Sequence, residues 1–195
     1  MTQTITNLRQ TVEEVIQRTS ILDIHTHLYA PHFGELMLAG VDELLTYHYL
    51  IAEVMRVSDI SYDEFWAMTK QEQADFIWKK LFIENTPYSE ACRGVITALS
   101  RLGMNLQTRD LNEYRAKINS TELSNYVDEV LKLAGVESVI MTNDPFDDQE
   151  RLIWETVGND DPRFQAALRI DPLVNSYSSV CSKIQAWGYA RAVDC

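Results

Sequence analysis

The sequence predicts an α/β fold: the N-terminal part of a (β/α)8 TIM-type barrel, about three strands, with a helical insertion after the first strand. Three features carry this expectation. Residues 21–28 form a strand with one polar, ligand-bearing face and one oily face. Two short apolar segments near the C-terminus alternate with helices, the βαβ pattern of a parallel sheet. Between them runs a helical stretch too long to be an ordinary barrel crossover. The 195 residues fall short of the roughly 250 typical of a complete barrel, and three strands cannot close one.

Each element follows from its pattern. Ile5, Leu8, Val12, Val15 and Ile16 recur at helical spacing, so the chain opens on an amphipathic helix. The strand comes next. Its side chains alternate, with Asp23, His25 and His27 on one face and Ile24, Thr26 and Leu28 on the other. Pro31 and Gly34 break the chain into a loop. From Asp42 to about Ile118 the pattern is helical. Ser61 with Glu64 and Thr69 with Glu72 have capping-box spacing, and Asp110 with Glu113 gives a similar start signal. Ile77, Trp78, Leu81 and Phe82 form an apolar stripe, as do Val95, Ile96, Leu99 and Leu102, and both read as helix-packing core. A helix through Leu123 and Leu131 ends at Gly135. Residues 136–142 and 164–170 are the later strands, separated by a helix at 147–157, and residues 178–187 form a last helix. The insertion is expected to span 34–120 within a domain of 1–195.

Composition excludes several function classes. The net charge of −12 disfavours nucleic acid and anionic membrane as partners. No apolar run approaches transmembrane length, and residues 1–10 lack a signal-peptide core. Cys92, Cys181 and Cys195 are odd in number and lack metal-site spacing, so free thiols in a reducing cytoplasm are expected. No phosphate-binding glycine loop or nucleophile elbow occurs.

The residues that can carry chemistry are few. Two imidazoles along one strand face suit a divalent metal; alternatively they are a strand-end pair that binds nothing. Tyr47, His48 and Tyr49 lie in the helical stretch. Either they complete a helix interface, or His48 and Tyr49 exchange hydrogen bonds with a sugar hydroxyl. Arg169 falls at the C-terminal end of a strand, the catalytic end of such a barrel. Its partner is either a carboxylate such as Asp171 or a substrate carboxylate held bidentately. Asp144 and Asp147 read as turn and helix-cap residues.

Taken in order, the segments Asp23-Ile-His25-Thr-His27-Leu28, Tyr47-His48-Tyr49-Leu50, Met141-Thr-Asn143-Asp144-Pro145 and Arg169-Ile-Asp171-Pro172 resemble uronate isomerase (glucuronate isomerase), a divergent member of the amidohydrolase superfamily. The resemblance runs from about Ile21 onward. It implies a metal-dependent-hydrolase-like (β/α)8 barrel, a uronic acid substrate, and interconversion of D-glucuronate with D-fructuronate and of D-galacturonate with D-tagaturonate. It further implies that His25 and His27 are metal ligands, with zinc the expected divalent ion. His48 and Tyr49 become catalytic, substrate-contacting residues, and Arg169 becomes the carboxylate anchor. A cytoplasmic homo-oligomer is expected. The family's metal-binding aspartate, which follows the last barrel strand, has no counterpart here; Asp194 follows a helix. An isolated chain that binds metal weakly and is inactive as an isomerase is therefore expected. A hydrolase of the same superfamily is the alternative activity.

Overall fold

The computed structural model describes residues 2–158 and 161–189. Two compact units emerge. One comprises the chain through Met37 together with the chain from Ala134 onward; the other is Leu38–Leu133.

The first unit opens with α1 (Thr2–Arg18) and β1 (Ile21–Thr26), followed by a 3-10 segment at Pro31–Leu36 that buries Phe33. The helix forms as its spacing predicts, yet Leu8, Val12, Val15 and Ile16 are all exposed. Periodicity sets where the apolar stripe lies, and burial requires a partner element that the described residues do not supply.

The helical unit contains α2 (Val41–Leu45), α3 (His48–Val57), α4 (Tyr62–Trp66), α5 (Lys70–Ile77), a π-helical turn at Trp78–Ile83, α6 (Glu90–Arg101), α7 (Leu111–Asn119) and α8 (Leu123–Ala134). Both expected capping boxes form, Ser61 with Glu64 and Thr69 with Glu72. At Asp110 only half the device appears: its carboxylate caps the Asn112 amide. Leu45, Val54, Phe65, Ile77, Leu99 and Tyr114 are fully buried in one core. The polar tips of its aromatics are satisfied, with Trp78 Nε1 donating to Arg109 O at 3.1 Å and Tyr114 Oη to Asn105 O at 3.1 Å. Arg115 on α7 ties α2 and α5 together through Asp42 (2.8 Å) and Asp75 (2.7 Å).

Gly135, at φ +69°, turns the chain out of α8. The first unit then resumes with β2 (Val136–Asn143), α9 (Asp148–Thr156), β3 (Phe164–Leu168), α10 (Asp171–Asn175) and α11 (Tyr177–Ala186). The three strands are parallel in the order β1-β2-β3, as the βαβ pattern predicts. Val139, Met141, Phe164 and Phe33 are buried in this unit.

Several expectations are corrected. Pairing of β1 slips between Asp23 and Thr26: three residues of β1 advance against two of β2. Thr26 is buried while Ile24 is 74% exposed, so the oily face that strict alternation assigns to both is not a continuous packed surface. β3 stops at Leu168 because Asp171-Pro172 opens α10, and α10 also precedes the last expected helix. Cys92 is a free thiol, but Cys181 is disulfide-bonded, contrary to the expectation of free thiols throughout. Asp194 and Cys195 lie outside the described residues.

Candidate active site

The candidate site lies at the C-terminal end of the parallel sheet. Thr26 pairs with Met141 and Asn143 with Leu168, so the ends of all three strands face the same way. His25 and His27 emerge at the end of β1, and both are exposed. Asn143 closes β2. Arg169 follows β3 directly, its backbone N–H donating to Asn143 O at 2.8 Å. The sheet thus brings His27 and Arg169 to one end.

The two imidazoles are neighbours, with ring centres 5.4 Å apart and ring planes nearly perpendicular. Two imidazoles on one tetrahedral ion, with metal–nitrogen distances of about 2.0–2.1 Å, place their ring centres roughly 5 Å apart. The centre-to-centre spacing of the pair matches that of two ligands on one ion. A complete ligand set is not present: among the described residues no three His, Cys, Asp or Glu side chains gather as a metal site. Asp23, on the same strand, accepts from the His25 amide at 3.1 Å.

Arg169 pairs with Asp171, Nε to Oδ2 at 3.0 Å, and both side chains are more than half exposed. An exposed pair of this kind contributes roughly 0.2–1 kcal/mol. The guanidinium is thus partnered, but by a contact weak enough for a bidentate carboxylate to displace.

His48 and Tyr49 belong to the helical unit. They are the first two residues of α3, and both are exposed. The rings of Tyr47, His48 and Tyr49 pack in tilted contact, with ring centres 4.2 Å apart along the series. For His48 and Tyr49 the reading that they complete a helix interface is corrected here, whereas Tyr47 is half-buried. Leu50 and Val54 supply the buried face of α3, because the helix starts at His48 rather than running through it from Asp42. His48 and Tyr49 present ring edges, a phenol and an imidazole to solvent.

Asp144 and Asp147 behave as local residues. Asp144 accepts from the Phe146 amide at 2.9 Å, and Asp147 caps α9 through the Gln149 and Glu150 amides. Sequence reasoning did miss Glu150 and Tyr29. Glu150 is 2% exposed, a carboxylate enclosed beside the strand ends. It accepts from Tyr29, Asn143, Asp144 and Trp154. Burial, and then the charge and hydrogen bond of Glu150, push the Tyr29 phenol up to about 12. The Asp147-x-x-Glu150 spacing reads as a helix-start signal, which hides the deeper role; only burial distinguishes the two.

No protein-family model and no curated protein sequence matches the chain. Among solved structures, the chain matches a uronate isomerase from Bacillus halodurans C-125 with 50% identity and a TM-score of 0.92. The match covers 97% of this chain and 45% of that one. The chain therefore spans less than half the length of the enzyme it matches. Its three-stranded open sheet corresponds to part of that barrel.

Proposed function

We propose that this chain, which belongs to the uronate isomerase family over the N-terminal portion of the fold that it spans, forms part of an isomerase site for D-glucuronate and D-galacturonate. The observation that carries this reading is the gathering of His25, His27 and Arg169 at one sheet end, in a chain half identical to a uronate isomerase.

Each residue has a part suited to its chemistry. His25 and His27 would hold a divalent ion, zinc in this reading, as two of the three protein ligands that a catalytic zinc usually takes. When bound, the ion supplies Lewis-acid polarisation of sugar oxygens. Arg169 leaves Asp171 and takes the uronate carboxylate in a two-pronged hydrogen bond, fixing the far end of the sugar. Aldose–ketose interconversion moves a proton between C2 and C1, which needs groups that can accept and donate it. His48 and Tyr49 are candidates for contacting the sugar hydroxyls during that step, since each can donate or accept a hydrogen bond. The remaining ligand and proton-transfer groups would come from the rest of the complete enzyme.

A chimera tests this: the present chain replaces the matching portion of the Bacillus halodurans enzyme, and conversion of D-glucuronate and D-galacturonate is followed. The chimera is expected to isomerise both, and the 195-residue chain alone neither. Arg169→Lys should cost the chimera about 1.5–3 kcal/mol of transition-state binding, roughly 10- to 150-fold in kcat/KM. His25→Ala should abolish metal-dependent turnover. A chimera that binds zinc and hydrolyses amides or esters, without isomerising either uronate, would overturn the assignment in favour of a hydrolase.

A further inference from the structure

We propose that Glu150 is a positioning residue for the end of β1 that carries His25 and His27, acting through Tyr29. This inference rests on the metal-site reading of the histidine pair.

The geometry is that of a buried hub. Oε2 accepts from Tyr29 Oη at 3.0 Å and from the Asp144 backbone N–H at 3.0 Å. Oε1 accepts from Asn143 Nδ2 at 2.7 Å and from Trp154 Nε1 at 3.3 Å. Four donors meet a single carboxylate, and no cationic side chain is bonded to it among the described residues. A buried anion without a counter-ion is costly unless its lone pairs are all engaged, and here each oxygen takes two donors. The donors come from distinct segments. Tyr29 stands two residues past His27, Asn143 ends β2 and Asp144 follows it, and Trp154 lies one turn further along α9.

The connection to β1 is therefore through one phenol. Tyr29 also packs on Phe33, with ring centres 5.2 Å apart, and Phe33 meets the edge of Trp154 at 5.3 Å. Packing holds the loop close to α9, and the hydrogen bond to Glu150 fixes the depth at which the chain leaves β1. That chain carries the His27 imidazole. Only an acceptor on both oxygens serves all four donors; an amide nitrogen at this position would face donors with a donor.

The test uses the 195-residue chain and zinc alone. Zinc affinity is measured by calorimetry for the unaltered chain and for Glu150→Gln, Tyr29→Phe and Trp154→Phe. Tyr29→Phe deletes one hydroxyl and keeps the ring on Phe33. Trp154→Phe deletes a hub donor other than the Tyr29 hydroxyl and keeps an aromatic ring beside Phe33. The expected result is about a tenfold loss of affinity in the first two variants, with Trp154→Phe close to the unaltered chain and all circular dichroism spectra alike. Equal losses in all three variants, or none in Glu150→Gln and Tyr29→Phe, would overturn the positioning role. Two histidines alone hold zinc weakly, and where the unaltered chain takes up too little zinc to measure, the readout passes to the backbone. Amide exchange over residues 27–30 then decides: faster exchange in Glu150→Gln and Tyr29→Phe supports positioning of the β1 end, and unchanged exchange overturns it.

Discussion

In the helical unit, Leu45, Val54, Phe65, Ile77 and Leu99 are sealed from solvent; in the sheet unit, Leu8, Val12, Val15, Ile16, Leu22, Ile24 and Leu168 remain exposed. All of these residues sit in regular helices or strands, and most were legible as apolar stripes. The difference lies in what each unit needs from distant sequence. Helices joined by short loops find their partners nearby, so Leu38–Leu133 buries most of its apolar stripes within itself, although Val57, Trp66 and Ile83 stay exposed. A barrel strand packs against layers drawn from strands all round the ring. The described residues hold three of them, and the chain spans 45% of the enzyme it matches.

The comparison breaks if equivalent truncations in the two units cost the same. Leu99→Ala should lose about 2–5 kcal/mol in urea unfolding followed by circular dichroism. Leu8→Ala, an identical change on the exposed stripe of α1, should stay within about 0.5 kcal/mol. A loss at Leu8 matching that at Leu99 would mean that α1 is buried in solution.

Arg115 sharpens the contrast between a held and a displaceable guanidinium. Arg115 is largely enclosed and bonded to Asp42 and Asp75, whereas Arg169 has one exposed partner. Arg115→Ala should cost about 1–3 kcal/mol by leaving carboxylates unmatched between α2 and α5. In the isolated chain Arg169→Ala should cost less than about 1 kcal/mol. Thermal unfolding of the two variants side by side measures the gap.

A smaller effect comes from the caps. Thr69→Ala should lose about 1 kcal/mol and blunt the acid sensitivity of the helical unit. The Thr69 backbone N–H and then its hydroxyl, which the variant removes, hold the Glu72 carboxyl below its ordinary range; the Ser61 hydroxyl and then its backbone N–H do the same for Glu64. The folded chain then binds fewer protons than the unfolded chain. The stabilisation is present above the unfolded carboxyl value of about 4.3 and disappears as pH falls through the lowered folded values. Unfolding midpoints at successive pH values below 5 should fall less steeply in Thr69→Ala than in the unaltered chain.

The least change in stability is expected from Ile24→Ser with Leu168→Ser, within about 0.5 kcal/mol. These residues lie on the two edge strands, which offer unpaired backbone and apolar surface for association. Sedimentation should show a larger monomer fraction for the double variant. An unchanged distribution would mean that these edges do not drive association.

Sequence by itself determined most element types, though not α10 or the 3-10 segment, and with them the parallel strands, both capping boxes, and the adjacency of His25 and His27. Each is a local matter of spacing, capping and pairing between short segments. The motif order also pointed to the family and to the residues quoted for its site. Tertiary structure alone decided which apolar stripes are covered, that Ile24 and Thr26 part company at a register slip, and that His48 and Tyr49 stand exposed at the start of α3. It also decided the place of Glu150. A glutamate three residues after a helix-capping aspartate looks like part of the cap, and its spacing is the same whether it faces water or four protein donors. Burial depends on what the rest of the chain packs around a residue, which local pattern does not record.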